Sequence, residues 1–113
     1  MDVPADYHRG VVLFNAGHFW HAHEAWEALW RATDDPQLRL FYQGLIQTAA
    51  ALVHWQRGNL RGLRRNWAKA RAKLALLPSP LLDLDLQAVL AAMDTLVAAD
   101  GQGLPPQLQL ADC

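Results

Sequence analysis

The chain reads Phe41-Tyr42-Gln43-Gly44-Leu45-Ile46-Gln47-Thr48-Ala49-Ala50-Ala51-Leu52-Val53-His54-Trp55 through its centre, and this stretch decides the fold. On an α-helix its apolar side chains cover nearly the whole circumference, which is typical of a helix buried on most sides. Gln43, Gln47 and His54 nevertheless fall within about 40° of one another, with small alanines between them. The sequence therefore predicts a buried central helix that carries one polar stripe.

The rest of the chain also favours helices. Alanine and leucine dominate it, and no run of alternating β-branched residues predicts a strand. Helix breaks and caps are expected at Asn15, Gly17, Asp35-Pro36, Gly58-Asn59 and Pro78-Ser79-Pro80. The predicted helices span residues 6–16, 18–32, 36–57, 59–77 and 82–99. We expect an all-α fold, a compact bundle of five helices forming one domain over 1–100, with an extended or disordered tail over 101–113.

Composition limits the class of protein. A chain of 113 residues, 52% of them hydrophobic, is long enough for one domain with a core. Only 19% of the residues are charged, which favours self-association through apolar surface. Cys113 is the only cysteine, so neither a disulfide nor a cysteine-based zinc site forms within one chain. With no signal-peptide pattern and no apolar run of about 20 residues, we expect a cytoplasmic protein without a membrane partner.

A second set of polar residues lies in Phe19-Trp20-His21-Ala22-His23-Glu24-Ala25-Trp26-Glu27-Ala28-Leu29-Trp30-Arg31. His23 falls in the middle of the apolar face of this helix, and Glu27 follows one turn later. The short connection to the central helix favours antiparallel packing of the two. His23, Glu27, Gln47 and His54 are then expected to meet in the bundle interior.

Buried polar groups cost stability unless they are paired, and this polar cluster has three interpretations. The first is a hydrogen-bonded network that fixes the fold. The second is a pocket for a small polar ligand with aromatic walls. The candidate pocket residues are His23, Glu24, Glu27, Gln43, Gln47, His54, Trp26, Trp30 and Tyr42.

The third interpretation is a metal-assisted hydrolase. His23 and Glu27 stand four residues apart on one helix face, where they can share a divalent metal with His54 as a third ligand. Glu24 is the candidate catalytic base. The chain lacks the His-Glu-x-x-His motif of zinc proteases and the paired Glu-x-x-His motifs of di-iron bundles. The residues leave all three interpretations open.

Charge is distributed unevenly. Residues 36–82 include eight basic residues and no acidic one. One row recurs every four residues on the predicted fourth helix, namely Arg61, Arg65, Lys69 and Lys73. Such a row binds phosphates of a nucleic acid, or it is a solvated face that pairs with acidic residues of neighbouring helices, here Asp83, Asp85 and Asp94. No aromatic residue alternates with the row, so a nucleic-acid partner is the less favoured alternative.

Two blocks of the sequence resemble one known family. The first is Phe14-Asn15-Ala16-Gly17-His18-Phe19-Trp20 with Ala22-His23-Glu24 and Trp26-Glu27. The second is Phe41-Tyr42-Gln43-Gly44-Leu45-Ile46-Gln47, which continues through His54 to Gly58-Asn59 and Gly62. Together they resemble domain of unknown function 309, a family of small all-helical domains of bacteria and archaea. The resemblance implies the bundle and supports the same polar residues, and it implies no reaction.

This chain departs from the resemblance at one place. The family tends to carry Gly-Ala after Gly-Asn-x-x, whereas this chain has Gly62-Leu63. The difference concerns the packing of the third helix against the fourth and leaves the polar residues unchanged.

Overall fold

The computed structural model describes residues 4–111, in which the regular structure is helical. The helices are α1 Ala5–Asn15, α2 Phe19–Ala32, α3 Pro36–Gln56, α4 Leu60–Leu74 and α5 Leu86–Ala98. This confirms the predicted all-α bundle of five helices. Cys113, on which the disulfide argument depends, lies outside the described residues. Within them, none of the helices combines the length and the apolar character that crossing a membrane requires.

Helix α3 is the centre of the bundle, as its apolar circumference predicts. It packs against α2 on one side and α4 on the other, while α1 packs on α2 and α5 makes a smaller contact with α4. The buried side of α3 consists of Phe41, Tyr42, Gly44, Leu45, Thr48, Ala49, Ala51 and Leu52. The remaining side, which carries the polar stripe, is only half-buried.

Local sequence signals explain where α3 and α4 begin. The Asp35 carboxylate accepts a hydrogen bond from the backbone N–H of Leu38 at 3.0 Å, and the Asn59 side chain accepts one from Gly62 at 2.9 Å. These caps satisfy N–H groups that have no partner within the helix. Gly58, with a φ of +73°, provides the left-handed turn between α3 and α4.

The predicted boundaries of α4 and α5 need correction. Helix α4 ends at Leu74 instead of residue 77, and α5 begins at Leu86 instead of residue 82. Leu82 and Asp83 adopt positive φ values of 45° and 64°, which a right-handed helix excludes. Asp85 then caps α5 by accepting a hydrogen bond from Ala88. The apolar period of this segment continues into a turn, so hydrophobic spacing alone places the helix start too early.

The segment after α5 packs back on the bundle and forms no further helix within the described residues. Leu108 is only 2% exposed, and its backbone pairs with the Asn15 side chain at the end of α1. Further along, the N–H of Ala111 donates to the carbonyl of Asp83 at 2.8 Å. Residues 101–111 therefore cover one end of the bundle.

Candidate functional site

We use the name groove for a series of clefts along the half-buried side of α3, which α2 borders on one side and α4 on the other. Three clefts within the described residues make up this groove. We call them the glutamine cleft, between α2 and the first half of α3, the tryptophan cleft, between α2 and the end of α3, and the cationic cleft, between the end of α3 and α4. They are described in this order.

The glutamine cleft has a volume of about 130 Å³ and is lined by Glu27, Trp30, Gln43, Ile46 and Gln47. Beside it, Nδ1 of His23 lies 3.6 Å from Oε2 of Glu27, beyond hydrogen-bond distance. The other oxygen of Glu27 binds Arg31 on the surface. Nδ1 of His23 and Oε1 of Gln47 are both buried and have no hydrogen-bond partner among the described residues. His23, Glu27 and Gln47 therefore form no hydrogen bonds with one another. A structural network would require such bonds, because buried polar groups are normally paired.

The tryptophan cleft has a volume of about 300 Å³ and is lined by Trp20, Ala50, Val53, His54 and Arg57. The Trp20 indole stacks on the imidazole of His23, with ring centroids 4.9 Å apart and planes inclined by 8°. Despite this contact, 54% of the Trp20 side chain is exposed. The cleft thus combines a large aromatic surface with a small residue, Ala50, that leaves room in front of α3.

The cationic cleft has a volume of about 250 Å³ and is lined by His54, Asn59, Arg61, Gly62, Arg65, Asn66 and Lys69. His54 lines this cleft as well as the tryptophan cleft, so its ring lies between them. Nδ1 of His54 is 3.2 Å from the side-chain nitrogen of Asn59. A Cβ atom at Gly62 would overlap the His54 side chain, so the glycine allows α4 to approach the imidazole closely.

The basic residues of α4 separate into paired and unpaired groups. Arg71 makes hydrogen bonds of 3.0 and 3.1 Å to Asp94, and Arg64 pairs with Asp100. The hydrogen bond from Arg71 is the main cause that lowers the pKa of Asp94; Trp67 adds to it, and burial opposes it. Arg61, Arg65 and Lys69 have no carboxylate partner within residues 4–111.

The ion pairs expected for the basic row are not formed among the described residues. The pairing alternative expected Asp83, Asp85 and Asp94 to neutralise it. Asp94 instead binds Arg71, which lies off the row, and Asp85 caps α5. The side chains that line the cationic cleft therefore keep an uncompensated positive charge within the part of the chain that the structure describes.

Several predicted site residues do not come together. His54 does not join His23 and Glu27, because residues 4–111 contain no group of three histidine, cysteine, aspartate or glutamate side chains able to hold a metal ion. The expected cluster is therefore corrected for His54, which lines the tryptophan and cationic clefts. His23 does lie beside Glu27, and Glu27 and Gln47 line the same cleft. Glu24 is exposed and lies beside Arg31 on the outer side of α2.

Two of the predicted aromatic walls belong to the core. Trp26 is fully buried, and its indole N–H donates to the carbonyl of Tyr7 at 3.2 Å. Tyr42 is 1% exposed, and burial raises the pKa of its phenol. Trp30 does line the glutamine cleft, and the guanidinium of Arg39 lies 4.6 Å from its ring centroid.

The sequence interpretation missed four polar or aromatic residues that line the groove: Trp20, Arg57, Asn59 and Asn66. The sequence identifies Asn59 as a helix cap, but it does not indicate that Asn59 lies beside His54. Trp20 can be recognised in the structure because its large aromatic side chain is exposed. The sequence does not indicate that it lies near His54.

Comparisons with known proteins agree with the sequence resemblance. The family model described as Domain of unknown function (DUF309) matches residues 7–66, just over half of the chain. An uncharacterized protein of Aquifex aeolicus is 27% identical over 96 residues, which cover 85% of this chain and 29% of that protein. The chain thus spans less than a third of the length of this relative. The matched region includes most of α1, all of α2 and α3, and α4 as far as Asn66, and thus every residue of the groove except Lys69.

Proposed function

The chain belongs to the domain of unknown function 309 family, whose description names no activity, and on this premise we propose from the groove itself that the domain is a binding module for a phosphate-bearing ligand. The phosphate would occupy the cationic cleft. The observation that carries the proposal is that three members of the basic row, Arg61, Arg65 and Lys69, line one cleft with His54 and have no carboxylate partner among the described residues. Arg64 and Arg71 of the same helix are both paired.

The donor chemistry of the cleft favours a phosphate over a carboxylate. Two guanidinium groups and one ammonium group supply more positive charge than a single carboxylate neutralises. A phosphate carries up to two negative charges and has three oxygen acceptors. Arg65 and Arg61 can offer paired N–H groups to such oxygens. The Asn66 amide nitrogen donates one hydrogen to the Gly62 carbonyl at 2.9 Å, which leaves its second hydrogen as an uncharged donor.

The proposal assigns binding and no chemical step. The cationic cleft adjoins the polar stripe of α3 at His54, which belongs to the stripe and lines the cleft. A cytoplasmic location and self-association stay predictions of the composition. A structural role stays the alternative for the polar residues beside the glutamine cleft, His23 and Gln47.

The proposal is tested by calorimetric titration of the intact protein with inorganic pyrophosphate at low and moderate salt. We expect saturable binding that weakens as salt rises, because the contact is between exposed charges. Arg65→Ala should weaken binding about 10-fold, the size of one charge-assisted hydrogen bond.

The matched control is Arg64→Ala, which removes the same charge from the next position of α4 but outside the cleft. It should leave the affinity nearly unchanged. No binding by the wild type, or equal losses in the two variants, would overturn the proposal. Circular dichroism of each variant confirms that the helices are intact.

A further inference from the structure

We infer that the ligand of this groove is a nucleoside phosphate, whose base stacks on Trp20 in the tryptophan cleft while its phosphate occupies the cationic cleft. The inference rests on the proposed phosphate site and adds the chemical class of the rest of the ligand. It is carried by an exposed tryptophan in one cleft and cations without a carboxylate partner among the described residues in another, because His54 lines both clefts.

The first step concerns Trp20. A side chain of this size is 54% exposed although one face of its ring lies parallel to the His23 imidazole. Such stacking fixes the indole plane before a ligand arrives, so little side-chain freedom is lost on binding. Trp20 also lines the tryptophan cleft, where its exposed indole is available to stack on a planar group.

The second step concerns what surrounds that face. Ala50 and Val53 form an apolar floor on α3, and Arg57 closes the cleft at the end of the helix. A planar ring placed here would contact apolar groups below and meet a guanidinium at the rim. In proteins that bind single-stranded nucleic acids, bases stack on aromatic side chains and arginine adds a cation–π contribution, and a free nucleotide can use the same contacts.

The third step is the connection between the two clefts. His54 lines both, so a ligand that fills the tryptophan cleft reaches the cationic cleft by passing one side chain. A nucleoside phosphate has its planar base and its anionic group on opposite sides of a sugar. This matches a cleft with an aromatic wall on one side of His54 and Arg61, Arg65 and Lys69 on the other.

Three probes separate the parts of this ligand: adenosine monophosphate, ribose 5-phosphate and adenosine. Each is titrated into the intact protein by calorimetry at low salt. We expect adenosine monophosphate to bind roughly 5- to 100-fold more tightly than ribose 5-phosphate, the range that stacking of one base contributes. Adenosine, which lacks the phosphate, should bind weakly.

Two variants test the role of Trp20. Trp20→Ala should lower the affinity for adenosine monophosphate to that of ribose 5-phosphate, without changing the affinity for ribose 5-phosphate itself. Trp20→Leu keeps an apolar side chain at the same place and should lose most of the same preference. His21→Ala, at an exposed neighbour on α2, is the control and should behave as the wild type.

The outcomes distinguish this inference from the proposed function. Equal binding of ribose 5-phosphate and adenosine monophosphate overturns the inference and leaves the phosphate site standing. Absence of binding by all phosphate-bearing probes overturns both. A nucleic-acid partner is favoured, and the inference overturned, if the protein binds a single-stranded oligonucleotide of about ten nucleotides but not the mononucleotide.

Discussion

Asn15 and Leu108 bind each other through two hydrogen bonds, although 93 positions separate them in the sequence. The side-chain nitrogen of Asn15 donates to the Leu108 carbonyl at 2.8 Å, and the Leu108 N–H donates to the Asn15 side-chain oxygen at 2.7 Å. The Asn15 side chain thus pairs with the backbone N–H and C=O groups of Leu108, as the backbone of a neighbouring strand would. This pairing fastens the segment after α5 to the end of α1.

Asn15→Ala is therefore expected to destabilise the protein. The change leaves both backbone groups of the buried Leu108 without these partners, at a cost of about 1–3 kcal/mol in the free energy of unfolding. Urea unfolding followed by circular dichroism measures it. Gln56→Ala, which removes one exposed hydrogen bond to Gly17, is the control and should cost less. An unchanged urea midpoint for Asn15→Ala would contradict this role.

Gly62→Ala is expected to destabilise the protein although alanine favours helices. In an exposed helix the change would stabilise by up to about 1 kcal/mol. Here the added Cβ overlaps the Cβ and ring of His54, and overpacking costs about 1–3 kcal/mol. Thermal and urea unfolding measure the balance. A variant as stable as the wild type would mean that α4 does not approach His54 this closely.

Gln47→Leu should not lower stability. The Oε1 atom of Gln47 is buried without a partner, so its removal relieves a desolvation penalty of about 1 kcal/mol. The expected result is an equal or higher urea midpoint. Gln43→Leu is the control. Gln43 is a half-buried residue of the same stripe, but neither of its side-chain polar atoms is both fully buried and without a partner. A loss of more than 1 kcal/mol for Gln47→Leu would favour the structural network.

Asp94 makes stability depend on pH in the acidic range. Its pKa in the folded protein is lowered, first by the hydrogen bond from Arg71. A carboxylate with a lowered pKa contributes stability that is fully present above its unfolded pKa of about 4 and is lost as the pH falls through the folded value. The difference in unfolding free energy between wild type and Asp94→Asn should be constant near pH 7 and shrink below pH 4. A difference that stays constant down to the acid transition would exclude the ion pair as its source.

Most of the fold follows from local signals in the sequence. The apolar circumference of residues 41–55 correctly places α3 at the centre, and the caps at Asp35 and Asn59 correctly place two helix starts. The start of α5 is missed because Leu82 and Asp83 leave the helical region of backbone space while the apolar period continues through them. A hydrophobic period reports which side chains are buried and does not report the sign of φ.

The candidate site was only partly predictable. The stripe of Gln43, Gln47 and His54 can be deduced from helical spacing, because all three residues lie on one helix. Its neighbours cannot, since the placement of Trp20 and of Arg65 around the stripe depends on how α2 and α4 pack on α3. For the same reason a helical wheel could not show that His54 lies apart from His23 and Glu27.

The most direct test of the account is chemical-shift mapping of the intact, 15N-labelled protein during titration with inorganic pyrophosphate. The account predicts progressive shifts of backbone amides around His54, Asn59 and Arg65. Amides beside the cleft of about 650 Å³ that Asp83 and Asp85 line should not move, because that cleft is acidic. Shifts that are absent around His54 and Arg65, or that centre on basic residues elsewhere such as Arg9, would contradict the account.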